Sequence, residues 1–267
     1  MDLVPETQSF LLVIIVNFTC RIKISTVSFL LLFLFLLPAG NLFADQGNAS
    51  SALAAAREAG LSDAEINRIL AYGYDIRIST DNAIEFLEIL TDARKQGYSV
   101  DPLFGKIDEG LAKRVSFEVL RSVLRKKVRD YQFILDLYRK NHSHIEKDVF
   151  PSLQRAADSI DLGLEYEELR LLFNGIANTP ADMYTVAAIN MAFLKQLNFN
   201  SDLSLKIMQT GLKYKSLEPD WKDFFKIAVS GKRKGKSEEQ ISEAAIKILK
   251  KNQSIKAFIQ ELGLSNN

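Results

Sequence analysis

The chain reads as an all-α protein of ten to twelve short helices, arranged as stacked helical hairpins in two tandem units, either α-solenoid-like or a compact α-array. Three observations predict this. Beyond Leu61 no stretch alternates apolar and polar residues long enough for a useful strand, whereas apolar residues recur at three and four between Gly, Ser, Asp and Pro punctuation. The segment Lys95–Ser116, KQGYSVDPLFGKIDEGLAKRVS, has a worn copy in Lys195–Ser216, KQLNFNSDLSLKIMQTGLKYKS. Laid over each other 100 residues apart, they agree at Lys95/Lys195, Gln96/Gln196, Leu103/Leu203, Lys106/Lys206, Ile107/Ile207, Lys113/Lys213 and Ser116/Ser216. Chance supplies roughly one or two such matches, so duplication is the better reading. A slip of one residue also pairs Gly110-Leu111 with Gly211-Leu212. Finally, Gly60-Leu61, Gly163-Leu164 and Gly263-Leu264 each follow an acid two positions before the glycine, Glu58, Asp161 and Glu261.

At 267 residues, 47% apolar and 25% charged, the chain can bury a sizeable core. A formal charge of +1 predicts neither a nucleic-acid binder nor an enzyme of acidic substrates, so any such role must rest on a local patch. Cys20 is the single cysteine and precedes the expected export signal, which leaves no disulfide framework, thiolate zinc site or cysteine nucleophile beyond it.

Arg21 and Lys23 lead into the apolar run Ser28–Pro38, followed by small residues ending at Ala44. Cations, a short apolar stretch, a Pro-Gly region and a small residue predict a signal peptide cleaved after Ala44. The alternative is an uncleaved anchor over residues 24–44, close to the twenty or so residues that cross a bilayer. Either way the cations hold the N-terminal side in the cytoplasm and the rest crosses. Residues 1–20 carry Asp2 and Glu6 and no cation, so translation is expected to begin nearer Arg21. The expected organisation is a leader over residues 1–44, one helical unit over 45–147 and a second over 148–267.

After a polar segment from Asp45, Ser51–Ala59 is strongly helical by propensity and Gly60 ends it. Ser62-Asp63-Ala64-Glu65 is a capping box ahead of the stripe Ile66, Ile69, Leu70. Thr80-Asp81 opens the next helix, which Gly97 closes. Asp101-Pro102 reads as a cap with proline at the first helical position, predicting a helix from Pro102 to Gly110. Ser116 heads a long helix to Lys140, and a polar break, Asn141–Lys147, separates the halves. The second half repeats the plan with helices from Pro151, from Tyr166 to Phe173, after Thr179-Pro180, over Leu203 and Ile207, from Pro219, and behind the capping box Ser237–Gln240.

The motif D-P-L-x-x-K-I-x-E-G-L-A-K, Asp101–Lys113, resembles segments of uncharacterised exported bacterial proteins built from helical repeats. The resemblance covers one motif and its copy and implies no activity, substrate, cofactor or site residue. The copy departs from it at Ser201-Asp202, Met208 and Thr210.

Few residues suggest chemistry. His142 and His144, with Glu146 and Asp148 behind them, are candidate metal ligands, but residues two apart on a helix point to opposite sides, and each helically spaced His/acid pair gives only two ligands. Ser230–Ser237 imitates a phosphate-binding loop one residue short of the true spacing, and no strand is expected before it. Two basic clusters, Arg125, Lys126, Lys127, Arg129 and Lys232, Arg233, Lys234, Lys236, could meet phosphate, but neither has interleaved aromatics for base stacking. They read first as solvated helix ends. Adjacent acids such as Asp108-Glu109 and Glu167-Glu168 splay apart on a helix.

These readings converge on a non-enzymatic exported helical-repeat protein presenting a surface to another macromolecule of the cell envelope, with no cofactor. An extracytoplasmic hydrolase and an anionic-surface binder acting through the basic clusters are the alternatives. Nucleic acid is not an expected partner, and membrane contact is expected only through an uncleaved leader.

Overall fold

Residues 42–75, 78–142 and 145–264 are described by a computed structural model. The expected export run, its flanking cations, Cys20 and His144 lie outside the described residues. Those described form helices and connections with no strand, and the protein is all-α. In order the helices are α1 Leu42–Glu58, α2 Asp63–Tyr72, α3 Thr80–Lys95, α4 Asp101–Ala112, α5 Phe117–Asn141, α6 Phe150–Asp161, α7 Tyr166–Phe173, α8 Ala181–Gln196, α9 Ser201–Lys213, α10 Phe224–Arg233, α11 Glu238–Lys250 and α12 Ile255–Glu261. Single 3-10 segments, Lys147–Val149 and Pro219–Asp223, precede α6 and α10.

The chain divides after Ser51, inside α1, and residues 52–267 make a unit with its own core. Ala44 falls in the first turn of α1, so the polar residues after Asp45 are helical rather than a separate lead-in. α4 also differs from expectation. It starts at Asp101 behind Val100 and runs through Gly110 to Ala112, because Gly110 faces the side chain of Leu120 with no room for a Cβ, and is there for close packing rather than for stopping the helix. The Trp221 segment is a 3-10 turn followed by the ten-residue α10, shorter than the 25-residue α5.

One kind of turn ends nine of the helices. A residue with positive φ stands after the helix, and the next N–H donates five residues back, as from Leu61 to Ala56, Tyr98 to Ala93, Val115 to Gly110, Phe199 to Leu194 and Ser216 to Gly211. Glycine takes the left-handed position at 60, 97, 163, 235 and 263, but Arg114, Asn198, Lys215 and Asn252 take it elsewhere. In four of these turns the residue that follows, Leu61, Tyr98, Leu164 or Phe199, is apolar and buried and anchors the turn behind either Gly or Asn.

These turns set the true relation of the two copies. Gly97 corresponds to Asn198, Gly110 to Gly211 and Arg114 to Lys215, each pair 101 residues apart, so the one-residue slip is the structural register and the gapless overlay at 100 is not. In that register the buried positions Leu103, Ile107 and Gly110 of α4 fall on Ser204, Met208 and Gly211 of α9. α3 and α8 are both 16 residues long. Upstream the interval is 103, from Gly60 to Gly163, and both copies carry the same ion pair between the end of α3 or α8 and the start of α2 or α7. Arg94 binds Glu65 in the first, and Lys195 binds Glu168 at 2.7 Å in the second. α2–α3–α4 and α7–α8–α9 thus share their turns, a close-packed glycine and an ion pair, although α9 packs more closely on α7 and α8 than α4 does on α2 and α3.

Helices pack on their neighbours or next-but-one neighbours, chiefly α6 on α8, α9 on α11, α8 on α9, α5 on α6 and α2 on α3. Such short-range contact is characteristic of repeat proteins. Two side-chain amides tie separate elements. Gln154 on α6 accepts from the Ser99 N–H and donates to the Ser99 carbonyl, both at 3.0 Å. Asn190, fully buried on α8, donates to the Trp221 carbonyl at 2.9 Å and accepts from the Phe225 N–H at 3.1 Å.

Candidate functional site: an open seam between α7 and α9

In the first module the seam between α2 and α4 is filled by its own side chains. Arg68 and Tyr72, on one face of α2, both reach Asp108 on α4; the Tyr72 hydroxyl donates at 2.7 Å and the Arg68 guanidinium closes an ion pair. Arg68 also lies over the Phe104 ring, 4.4 Å from its centroid. Burial, with the Asp108 hydrogen bond and charge added to it, pushes the Tyr72 phenol up to about 12. Glu109 beside it is held below the ordinary carboxylate range by Lys113 and Lys106.

The second module has none of these pieces. At the matching positions Arg68 becomes Leu171, Tyr72 becomes Gly175 and Asp108 becomes Gln209. Leu171 is 47% exposed. α7 stops at Phe173, and the chain turns away through Asn174 and Gly175 to Pro180. What remains is a cleft of about 550 Å³ with α9 as one wall and the Asn174–Thr179 loop as the other. Gly105 and Ala112 of α4 are replaced on that wall by Lys206 and Lys213, and no carboxylate among the described residues lines the cleft. Among the described residues neither lysine has a carboxylate partner. Gln209 stays in the seam but bonds only the Leu171 carbonyl, at 2.8 Å. A smaller hollow of about 260 Å³ adjoins, with Lys140 and the Arg170–Glu167 ion pair on its rim and Asn174 shared between the two.

The loop wall is held by the end of α5. Asn141 donates from its side chain to the Phe173 carbonyl at 3.1 Å and accepts at its backbone carbonyl from Asn178 at 3.3 Å. His142 stacks on Tyr138, 3.7 Å between centroids, and meets the edge of Tyr184. Its Nδ1 faces the Tyr138 carbonyl and its Nε2 the Thr179 carbonyl, each at 2.9 Å. A metal ligand needs a nitrogen lone pair aimed at the ion, and here both nitrogens are spent on carbonyl oxygens. His142 is a fastener of the loop. Among the described residues no group of three His, Cys, Asp or Glu side chains is placed to hold a metal.

The expected basic clusters are largely neutralised or dispersed. Lys127 is buried and binds Asp158 at 2.7 Å and Asp161 at 2.9 Å; burial alone would lower its ammonium, but the two carboxylates outweigh that and hold it above its ordinary value. Lys126 pairs with the buried Asp130 at 2.7 Å, which leaves Arg125 and Arg129 as the exposed, uncompensated members. In the second cluster Lys232 pairs with Glu238, and Lys232 and Arg233 sit in the last turn of α10, where cations complement the helix dipole. Ser230–Arg233 are helical, so the phosphate-loop imitation is the end of α10 and its turn at Gly235. Asp108-Glu109 and Glu167-Glu168 point to separate partners, Arg68 and Lys113, Arg170 and Lys195.

Nothing in the gapless overlay of the sequence points to the cleft, whose cations appear there only as two of the matched positions, Lys106/Lys206 and Lys113/Lys213. Aligning the Gly-Leu turns instead would have set Arg68 against Leu171 and Tyr72 against Gly175. No family model matches the chain, and no curated protein or solved structure matches it.

Proposed function

We propose that this chain is exported and acts, without catalysing a reaction, as a helical-repeat scaffold that presents a binding surface to another macromolecule of the cell envelope. Export rests on the run Ser28–Pro38, with Arg21 and Lys23 before it and small residues up to Ala44 after it. The observation that carries the binding role is the difference between the modules: the same three helices occur twice, sealed by Arg68, Tyr72 and Asp108 in one and left as a cleft in the other. A duplicated stack keeps its fold in both copies while one is free to trade internal contacts for external ones.

Full-length chain carrying an affinity tag, recovered from the cell envelope after mild cross-linking, is expected to bring down the same envelope component in repeated preparations. Recovery of the chain alone under every cross-linking condition would overturn the scaffold reading. Localisation is read separately by fractionation: the chain is expected outside the cytoplasm and, if Ala44 ends the leader, shortened to begin at Asp45.

A further inference from the structure

We infer that the cleft between α9 and the Asn174–Thr179 loop takes a carboxylate-bearing segment of a partner protein, held by Lys206 and Lys213; this rests on the scaffold reading and names the chemistry of its partner. The first module shows what the seam is made to hold. There Asp108 brings a carboxylate to the junction of the two helices, and groups from the facing helix bind it. The second module has lost the internal carboxylate, Gln209 standing in its place, and has gained two ammonium groups where the first has Gly105 and Ala112. Two exposed ammonium groups in a concave site with no acid in its described lining make it complementary to an anion brought from outside.

Geometry favours a peptide over a small ion. Lys206 and Lys213 are two helical turns apart on α9, about 10 Å along the axis, too far for one phosphate or carboxylate to bridge in close contact but suited to two acids on one segment. Opposite them the loop wall offers the exposed Ala177 to the carbon parts of such a segment, while Ile176 and Leu212 are buried behind the lining. In the loop wall, among the described residues, the N–H groups of Gly175 and Ala177 have no protein acceptor and can donate to a peptide carbonyl or carboxylate.

The test uses full-length chain and a labelled peptide of about a dozen residues carrying four spaced glutamates, read by fluorescence anisotropy. Binding should weaken steeply with salt and vanish when the glutamates become glutamines. Lys206→Glu with Lys213→Glu should weaken it about tenfold or more, with the melting transition unchanged. A second variant, Leu171→Arg with Gln209→Asp, restores the first module's pair and sets an internal carboxylate three and four residues from the two lysines; it should also lose the peptide although both lysines remain. Equal binding by either variant, or by the glutamine peptide, overturns the assignment. Inorganic phosphate displacing the peptide at matching concentration, or anionic vesicles bound by wild type and released by the lysine reversal, would replace the peptide with a free anion or a lipid surface and likewise overturn it. If the envelope component is still recovered by the lysine reversal, the cleft assignment fails and the scaffold reading stands; if the peptide binds but no component is ever recovered, the reverse holds.

Discussion

The α2–α4 seam and the α7–α9 seam begin from the same plan and end as opposites. Each opens with a Gly-Leu turn, keeps an ion pair from the end of its 16-residue helix to a glutamate that completes a capping box, Glu65 or Glu168, and then packs a helix of 12 or 13 residues against its neighbours. The differences that set them apart include Arg68 against Leu171, Tyr72 against Gly175, Asp108 against Gln209, Gly105 against Lys206 and Ala112 against Lys213. The backbone plan is therefore carried by turns and buried apolar positions, and the face that can bind is carried by a few side chains outside that plan.

The largest expected effect lies just past the copied helix. Trp221 is fully buried against Phe224 and Phe258. Trp221→Ala should cost about 3–5 kcal/mol in urea unfolding, and Trp221→Leu clearly less. If the two cost the same, the site is not packed as described.

Next come the paired glycines. A Cβ on Gly110 would overlap Leu120, and one on Gly211 would overlap Leu217. Gly110→Ala and Gly211→Ala should each lose about 1–3 kcal/mol despite alanine's better helix propensity. A stabilised variant at either position would break the equivalence at an interval of 101.

A smaller effect separates the seams by pH. Tyr72 is raised to about 12 from 10.0, first by burial and then by its bond to Asp108, so it holds its proton more tightly folded than unfolded. Its contribution is complete below pH 10 and is lost as pH climbs toward 12. Gly175 offers nothing to titrate at the matching position. Tyr72→Phe should therefore flatten the alkaline decline of the melting temperature while lowering it at neutral pH by the equivalent of about 1 kcal/mol. An unchanged alkaline limb would show that the hydroxyl does not hold the seam.

The smallest expected effect is a gain. Arg114 and Lys215 have φ of 58° and 53°, where glycine is unstrained. Arg114→Gly and Lys215→Gly should stabilise by up to about 1 kcal/mol each, and by similar amounts if the turns are equivalent.

How much of this was legible follows from what each residue does. Helices headed by Ser62 and Ser237 or bounded by Gly97 and Pro180 could be read directly, because caps and breakers act on their own neighbours in sequence. The copies could be seen but were set one residue off, since Asn198 and Lys215 do the work of glycine without looking like it. The end of α4 was misread because Gly110 is needed for space and not for a turn, a distinction that only the facing Leu120 reveals. The cleft was invisible because it consists of what is missing between two helices about forty residues apart in the chain. Lys127, placed in a surface cluster from its neighbours in sequence, proved to be a buried cation held by two part-exposed carboxylates because its partners lie on α6.

The two amide fasteners carry a mechanical consequence. Helices held by greasy faces alone can slide a turn past one another at modest cost, because one leucine replaces another in the groove. Gln154 gripping both polar atoms of Ser99, and Asn190 spanning Trp221 and Phe225, work as pegs that fit only one alignment. A pull on the loops before α4 or α10 must shear those pegs before any helix can creep, so under load this stack should yield abruptly rather than gradually.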